Sequence, residues 1–341
     1  MKSRTICLAS PPTGKLNLSH FDVCDTDLDA PRDGEVLVRN IWLSIDPSIR
    51  LRLGPDRPAG YLPPIQPGDA LSGLALGEVL DSRSDGFSPG DVVSHMMGYR
   101  DYAVIDSVAG GLGGAGTSTK IDSKSFPIQW FLGPLGSSGL TAYVGLFDVL
   151  GIESTDTLWV SAAAGAVGSI AAQLAKLHGC TVVASAGSAD KVAFLRESLG
   201  VTRAFDYHDG DVGALLAHAA PDGIDAYFDN VGGGHFAAAL DHLNTGGRVA
   251  MCGAVSTYGA SGSMPSNLFQ ITAKSLRLQG FRAGAYNHLY DDMRALVGGY
   301  LQNGTLIYQE SVYDGLEQAP AALVGMLNGD TTGKTLVRVG Q

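Results

Sequence analysis

"VSAAAGAVGSIAAQLAKLHG", residues 160–179, starts as an apolar run and then sets two glycines three residues apart, Gly165 and Gly168. A long apolar-faced stretch without a helix breaker follows, up to His178-Gly179, which predicts a helix over 166–178. Glycines at a strand-to-helix turn let the backbone come close to another group, and the helix start offers unpaired N–H groups to an anion. Ala163-Ala164-Gly165-Ala166-Val167-Gly168 is an A-x-G-x-x-G form of the dinucleotide fingerprint. In that reading Gly165 admits a pyrophosphate, and Gly168 allows tight packing of helix on strand. Ala163 replaces the usual first glycine, so the six residues alone also suit a plain tight turn. The surrounding pattern decides between them.

That pattern alternates short apolar runs with helical ones: "DTLWVSA" and then the helix, "CTVVASAG", "DKVAFLRESLG", "RAFDYH", "VGALLAHAA", "GIDAYFDNVG", "HFAAALDHL", "GGRVAMCGA" and "SLRLQGF". Strands alternating with helices predict a doubly wound parallel sheet covered on both faces, an α/β fold. "YNHLYDDMRALVGGYLQNG" (286–304) reads as one long helix stopped at glycine. Before about residue 127 the pattern is different. "EVLVRNIWLSI" (35–45), "ALGEVLDSR" and "GDVVSHMMGYRDYAVI" are short strands among turns, with no sustained helical period. "AGGLGGAGTST" (109–119) reads as a mobile loop, because no strand leads into a helix around it. The tail shows strand, short helix and strand, and "GKTLVRV" is placed to rejoin the first sheet. A chain of 341 residues exceeds one comfortable core. Two domains are expected, 1–126 with 305–341 and, between them, 127–304.

An NAD site places Asp or Glu near the end of the second strand, to hold the ribose 2′-hydroxyl. Here Ser185 and Ala186 stand at that point and Lys191 follows, beside Asp190. A missing acid with a nearby base suits a 2′-phosphate, hence NADP(H). The net charge of −11 argues against nucleic-acid partners. No apolar run is long enough to span a bilayer, and the first residues lack the apolar core of a secretion signal. A cytoplasmic enzyme is expected. Cys7, Cys24, Cys180 and Cys252 form no CxxC pair and read as buried small hydrophobes.

Taken in order, "SIDPSIR" (44–50), "GLTAYVGL" (139–146), "AAAGAVGS" (162–169), "AGSADKV" (186–192), "YFDNVGG" (227–233), "CGAVSTY" (252–258), "QGF" (279–281) and "GKTLV" (333–337) carry a likeness along the whole chain. The sequence resembles the zinc-independent branch of the medium-chain dehydrogenase/reductase superfamily, and within it the prostaglandin reductase (leukotriene B4 dehydrogenase) and plant double-bond reductase family. The resemblance implies a GroES-like β-rich substrate domain with an inserted Rossmann cofactor domain, the active site in the cleft, and a homodimer. It also implies that Lys191 and Tyr207 hold the 2′-phosphate end. Asn230 and the stretch from Cys252 through Gly253 and Ser256 to Tyr258 would line the path to the nicotinamide, which Phe281, Arg282 and Ala283 would contact. The sequence departs from the family twice. Ser48 replaces a frequent aromatic, which opens the expected substrate pocket. Thr331-Thr332 stands where a cofactor-contacting asparagine is usual, which leaves Thr331 as the candidate there.

The chemistry can be narrowed from the residues. His20, Cys24 and His95 sit in no zinc-ligand pattern, and Gly136-Ser137-Ser138-Gly139 is one residue short of a hydrolase elbow. Without a metal, a nicotinamide enzyme reduces an activated C=C bond by hydride transfer to the β-carbon of an enone or enal. A donor must then meet the charge that builds on the carbonyl oxygen. Tyr258, after "AMCGA", is the candidate, since a phenol of pKa about 10 keeps its proton at neutral pH. A loop tyrosine packed on Gly259 is the plainer reading. Beside an alkene reductase stand two other readings, a quinone reductase and a dinucleotide-binding protein without turnover. Ser48, the loop "RLGPDRPAGYLPP" and the 109–119 segment are expected to shape the substrate pocket.

Overall fold

The structure is a computed structural model describing residues 1–54, 58–107, 118–123, 125–259 and 265–340. Residues 109–117 of the glycine-rich stretch and 55–57 of the "RLGPDRPAGYLPP" loop therefore lie outside the described residues. The chain forms two compact units, Met1–Leu132 with Glu310–Gln341, and Gly133–Gln309.

The first unit opens with β1 (Lys2–Leu8) and β2 (Phe21–Asp27), an antiparallel pair. Next come β3 (Glu35–Ser44), β4 (Ala75–Ser82), β5 (Val92–His95), β6 (Tyr102–Asp106) and β7 (Thr119–Lys120). In β3 the alternation of Val36 and Val38 turns one face inward, where both meet Val79, Val93 and Ile105. After β3 the chain tightens into a 3-10 turn, Pro47–Arg52, with proline at its first position.

The second unit begins with α1 (Ser137–Tyr143), continued by a π-helical segment, Val144–Leu150. It then alternates β8 (Thr157–Val160), α2 (Gly168–His178), β9 (Thr181–Ala186), α3 (Ala189–Ala193), β10 (Arg203–Asp206), α4 (Val212–Ala219), β11 (Ile224–Asp229), α5 (Gly233–His242) and β12 (Leu243–Met251). α6 (Phe269–Ala273), β13 (Arg277–Gly280) and α7 (Tyr290–Gln302) complete it. The six strands run in the order β10-β9-β8-β11-β12-β13, all parallel. The chain winds outward from β8 to β10, crosses back to β11 and winds the other way. That reversal between β8 and β11 is the topological switch point at which doubly wound sheets open a crevice. Trp159, Val183, Tyr227, Leu240 and Val249 fill the core on one face.

The tail adds β14 (Glu310–Asp314), α8 (Ala319–Asn328) and β15 (Lys334–Arg338). β15 pairs antiparallel with β3 and so joins the sheet of the first unit, as "GKTLVRV" is expected to do. With β14 parallel to β15, that sheet is mixed.

Three expectations need correction. The helix expected from 166 starts at Gly168, because 163–167 are spent in the turn. The helix expected over 286–304 is shorter: α7 begins only at Tyr290, after a 3-10 segment, Ala283–Leu289, that is itself kinked where Tyr286 leaves helical geometry (φ −118°, ψ 26°). Cys7 and Cys180 are buried, but Cys24 and Cys252 are only half-buried, because each sits where a strand face or strand end meets the surface.

Two histidines bear on stability. His95 in the first unit and His235 in the second have an Nε2 atom buried without a hydrogen-bond partner among the described residues. Burial lowers His95 to about 3, helped by the charge of Arg100, and lowers His235 to about 4. An unfolded imidazole titrates near 6.5. As pH falls below that value the unfolded chain binds protons that the folded chain refuses, so stability declines down to the folded pKa values. Each histidine should contribute a slope of about 1.4 kcal/mol per pH unit across its window. Denaturant unfolding between pH 7 and 4 measures it, and a His235→Phe variant should lose that histidine's share.

Candidate active site

Each of the six parallel strands in the second unit delivers a candidate residue at its carboxyl end. At the centre is the turn after β8. The Gly165 N–H closes it onto Ala162 O at 3.0 Å, and Ala162 takes the left-handed φ of 47°, a conformation that costs energy for a residue with a Cβ. Gly168 explains why the turn tolerates nothing larger. A Cβ there would overlap Ala162 O and lie 2.8 Å from the Ala163 Cα. Among the described residues the N–H groups of Ala166, Val167 and Gly168 donate no backbone hydrogen bond, while Ser169 N already bonds Gly165 O at 3.0 Å. Three open donors at the start of an 11-residue helix are an arrangement that suits an anion.

Beyond β9, Ser188 caps α3 by accepting from Lys191 N at 3.3 Å, which sets Lys191 in the first turn. Tyr207 N donates to Ala186 O at 3.1 Å, bringing the residue after β10 beside the end of β9. Lys191 and Tyr207 are thus gathered around one strand end. Burial, then Asp206, raises the Tyr207 phenol above its ordinary range, so it stays protonated. Ser185 plays no part at the surface: it is fully buried and accepts from Trp159 Nε1 at 3.2 Å. Asp206 is an acid missed in the sequence reading. It pairs in register with Ala186, but its Oδ1 accepts from His208 N at 3.0 Å.

On the other side of the switch point the ends of β11 and β12 are stitched together. Cys252 N and Gly253 N both donate to Asp229 O, at 2.9 and 3.0 Å. Ser256 is held by its hydroxyl, which donates to Val231 O at 2.7 Å, although the residue is exposed. Burial pushes the Cys252 thiol up to about 12, with the Asp229 charge adding to it, so this cysteine is no nucleophile at neutral pH. Tyr258 follows a 3-10 turn, Val255–Thr257, and its phenol folds back over the strand end. The oxygen accepts from Ala254 N at 3.4 Å and would lie 3.3 Å from a Cβ at Gly253. Phe281, after β13, stands edge-on to Phe228 with centroids 6.3 Å apart. Arg282 is exposed, and Ala283 starts the 3-10 segment.

The first unit holds the remaining candidates. Asp46 joins the "SIDPSIR" and "GKTLV" stretches: its Oδ1 accepts from the buried Lys334 Nζ at 2.7 Å and its Oδ2 from Ser44 Oγ at 2.5 Å. Ser48 is half-buried in the turn that follows. The Thr331 hydroxyl accepts from Thr335 Oγ1 at 2.9 Å. Sequence reasoning also missed Ser161 and Asp229, both buried to within 1 %. The available signal was a lone polar residue ending an apolar run, in "LWVS" and "AYFD".

Residues 4–110 match the family model described as the N-terminal domain of oxidoreductase, and residues 166–298 match the zinc-binding dehydrogenase model. Among the described residues no three His, Cys, Asp or Glu side chains gather as a metal site. The NADP(+)-dependent 2-alkenal reductase of Nicotiana tabacum is 38% identical over 307 residues, covering 89% of this chain and 87% of the relative. Prostaglandin reductase 1 of Mus musculus is 35% identical, with 94% of each chain covered. The solved structure of CurA in complex with NADPH from Vibrio vulnificus superposes with a TM-score of 0.91 at 34% identity, over 99% of each chain. Full-length likeness at this level, on the same two-unit fold, makes this chain a member of the medium-chain dehydrogenase/reductase superfamily, in the zinc-independent branch of the prostaglandin reductases and alkene double-bond reductases.

Proposed function

We propose that the protein is an NADPH-dependent 2-alkene reductase that reduces the C=C bond of α,β-unsaturated ketones and aldehydes. The observation that carries this reading is the trio of open amides at Ala166, Val167 and Gly168, set at the switch point of a chain whose relatives are named for NADP-dependent alkenal and prostaglandin reduction. Gly165 and those amides would hold the bridging phosphates, and Lys191 with Tyr207 the 2′-phosphate. Asn230, Cys252, Gly253, Ser256, Phe281, Arg282 and Ala283 would line the way to the reactive ring, and Thr331 is the first unit's own candidate for a cofactor contact.

NADPH, when bound, supplies the hydride that reaches the substrate β-carbon. Tyr258 then donates a hydrogen bond to the carbonyl oxygen as negative charge builds there, and assists protonation of the α-carbon. The half-buried Ser48 leaves room where the family often carries an aromatic, which supports a wider or more polar substrate pocket. The family likeness also supports a homodimeric, cytoplasmic enzyme.

The test is incubation with NADPH and a panel of enones, enals and quinones, with NADH in parallel and products identified by mass. A saturated carbonyl product supports the reading. Allylic alcohol, or turnover confined to quinones, refutes it, as does cofactor binding with no consumption of any substrate. Replacing Lys191 removes one charge-assisted contact, worth roughly 1.5–3 kcal/mol. A Lys191→Ala variant should therefore lose about 10- to 100-fold in kcat/KM for NADPH while NADH turnover changes little.

A further inference from the structure

Ser161, which follows β8, is fully buried at the switch point, and it grips a residue on the neighbouring strand end twice. The Asn230 backbone N–H donates to Ser161 Oγ at 3.0 Å, and the Asn230 side-chain Nδ2 donates to Ser161 O at 2.8 Å. A carbonyl oxygen only accepts, so the second contact determines which way the carboxamide faces. Its NH2 end is committed to the interior, and Oδ1 is the atom Asn230 turns away from Ser161.

Behind this grip stands a buried polar set. The Tyr227 hydroxyl lies 3.0 Å from Ser161 Oγ and 2.8 Å from Asp229 Oδ1. Asp229 Oδ1 also accepts from Val231 N at 3.0 Å and Gly232 N at 2.8 Å, shaping the turn that carries Asn230. Burial raises the Asp229 carboxyl, and these donors oppose that rise. The sheet does not need these groups for closure, since β8 and β11 already pair through Leu158, Trp159 and Val160. Such groups are costly to bury and are retained where they hold a neighbour in place.

We infer that Ser161 is a positioning residue for the nicotinamide half of the dinucleotide, holding Asn230 so that its Oδ1 offers an acceptor to donors on that half. The inference rests on the proposed NADPH reading. Its direction follows from strand order: the adenine-end candidates Lys191 and Tyr207 come from β9 and β10, on the far side of β8 from Asn230.

The test measures dissociation constants of the full chain for NADPH and for 2′,5′-ADP, which carries the adenine half alone. Ser161→Ala should weaken NADPH about tenfold and change 2′,5′-ADP less than twofold. Asn230→Ala, at a half-buried site, should give the same selective loss, and the double variant should lose no more than the worse single one. Equal weakening of both ligands, or none for either, overturns the inference while leaving the NADPH reading standing. A wild-type chain that binds neither ligand removes both.

Discussion

Gly168→Ala should weaken NADPH binding on the order of 100-fold and lower the melting temperature by several degrees. The added methyl has no open space, because its neighbours are Ala162 O and the Ala163 Cα, backbone atoms of the same turn. Side chains can swing away from such an overlap, but here either helix α2 or the turn has to shift. Overpacking of this kind costs typically 1–3 kcal/mol of stability. The same shift misaligns the open amides of Ala166, Val167 and Gly168, so binding suffers beyond the loss of stability. Gly165→Ala gives the contrast. Among the described residues a Cβ there meets only Ala162 O, at 3.2 Å, a tight contact that a small adjustment relieves. That variant should keep its melting temperature to within about two degrees and lose affinity only through contact with the ligand. Calorimetric titration and thermal unfolding of both proteins separate the two roles. Normal NADPH affinity in Gly168→Ala would remove the pyrophosphate cradle from this turn.

Tyr258→Phe should lower kcat roughly 100-fold and leave the NADPH dissociation constant near its wild-type value. Removing one preorganised donor to a developing oxyanion costs about 10²- to 10³-fold in comparable sites. The ring is seated by its loop, with the strand end of β12 tied to Asp229 and Val231 and the phenol oxygen resting on Ala254 N. At 3.4 Å the Ala254 contact is long, so its loss should alter the loop little. A drop in kcat with unchanged cofactor affinity marks a group acting in the transition state. Equal turnover in both proteins would show that another donor meets the substrate carbonyl.

The alternation of strands and helices after residue 127 was legible because each element records its own burial. β8, β9 and β11 each carry an apolar stretch, 158–160, 182–184 and 226–228, since both faces of a parallel sheet are covered. The start of α2 lies two residues later than expected because neither Ala166 nor Val167 is a helix breaker, and Val167 already has helical φ and ψ as the residue that precedes the helix. The kink inside the 3-10 segment that precedes α7 was invisible for a similar reason: Tyr286 carries no helix-breaking chemistry. Ser185 stands where an NAD site would carry its acid, and the direction of its side chain was not legible: the pleat turns its hydroxyl inward to Trp159.

What the residues determine alone is therefore local: where backbone must approach backbone closely, and which runs are buried. Gly168 announces the tight turn because only the absence of a Cβ permits it, whatever the rest of the chain does. Partnership across long separations was decided by the folded chain. Ser161 meets Asn230 across 69 residues, Tyr227 reaches back to the same serine, and Lys334 finds Asp46 across 288. Apolar periodicity shows that a side chain turns inward but carries no record of which polar group waits there. Strand order makes that choice, because placing β11 beside β8 brings the two polar strand ends within hydrogen-bond reach.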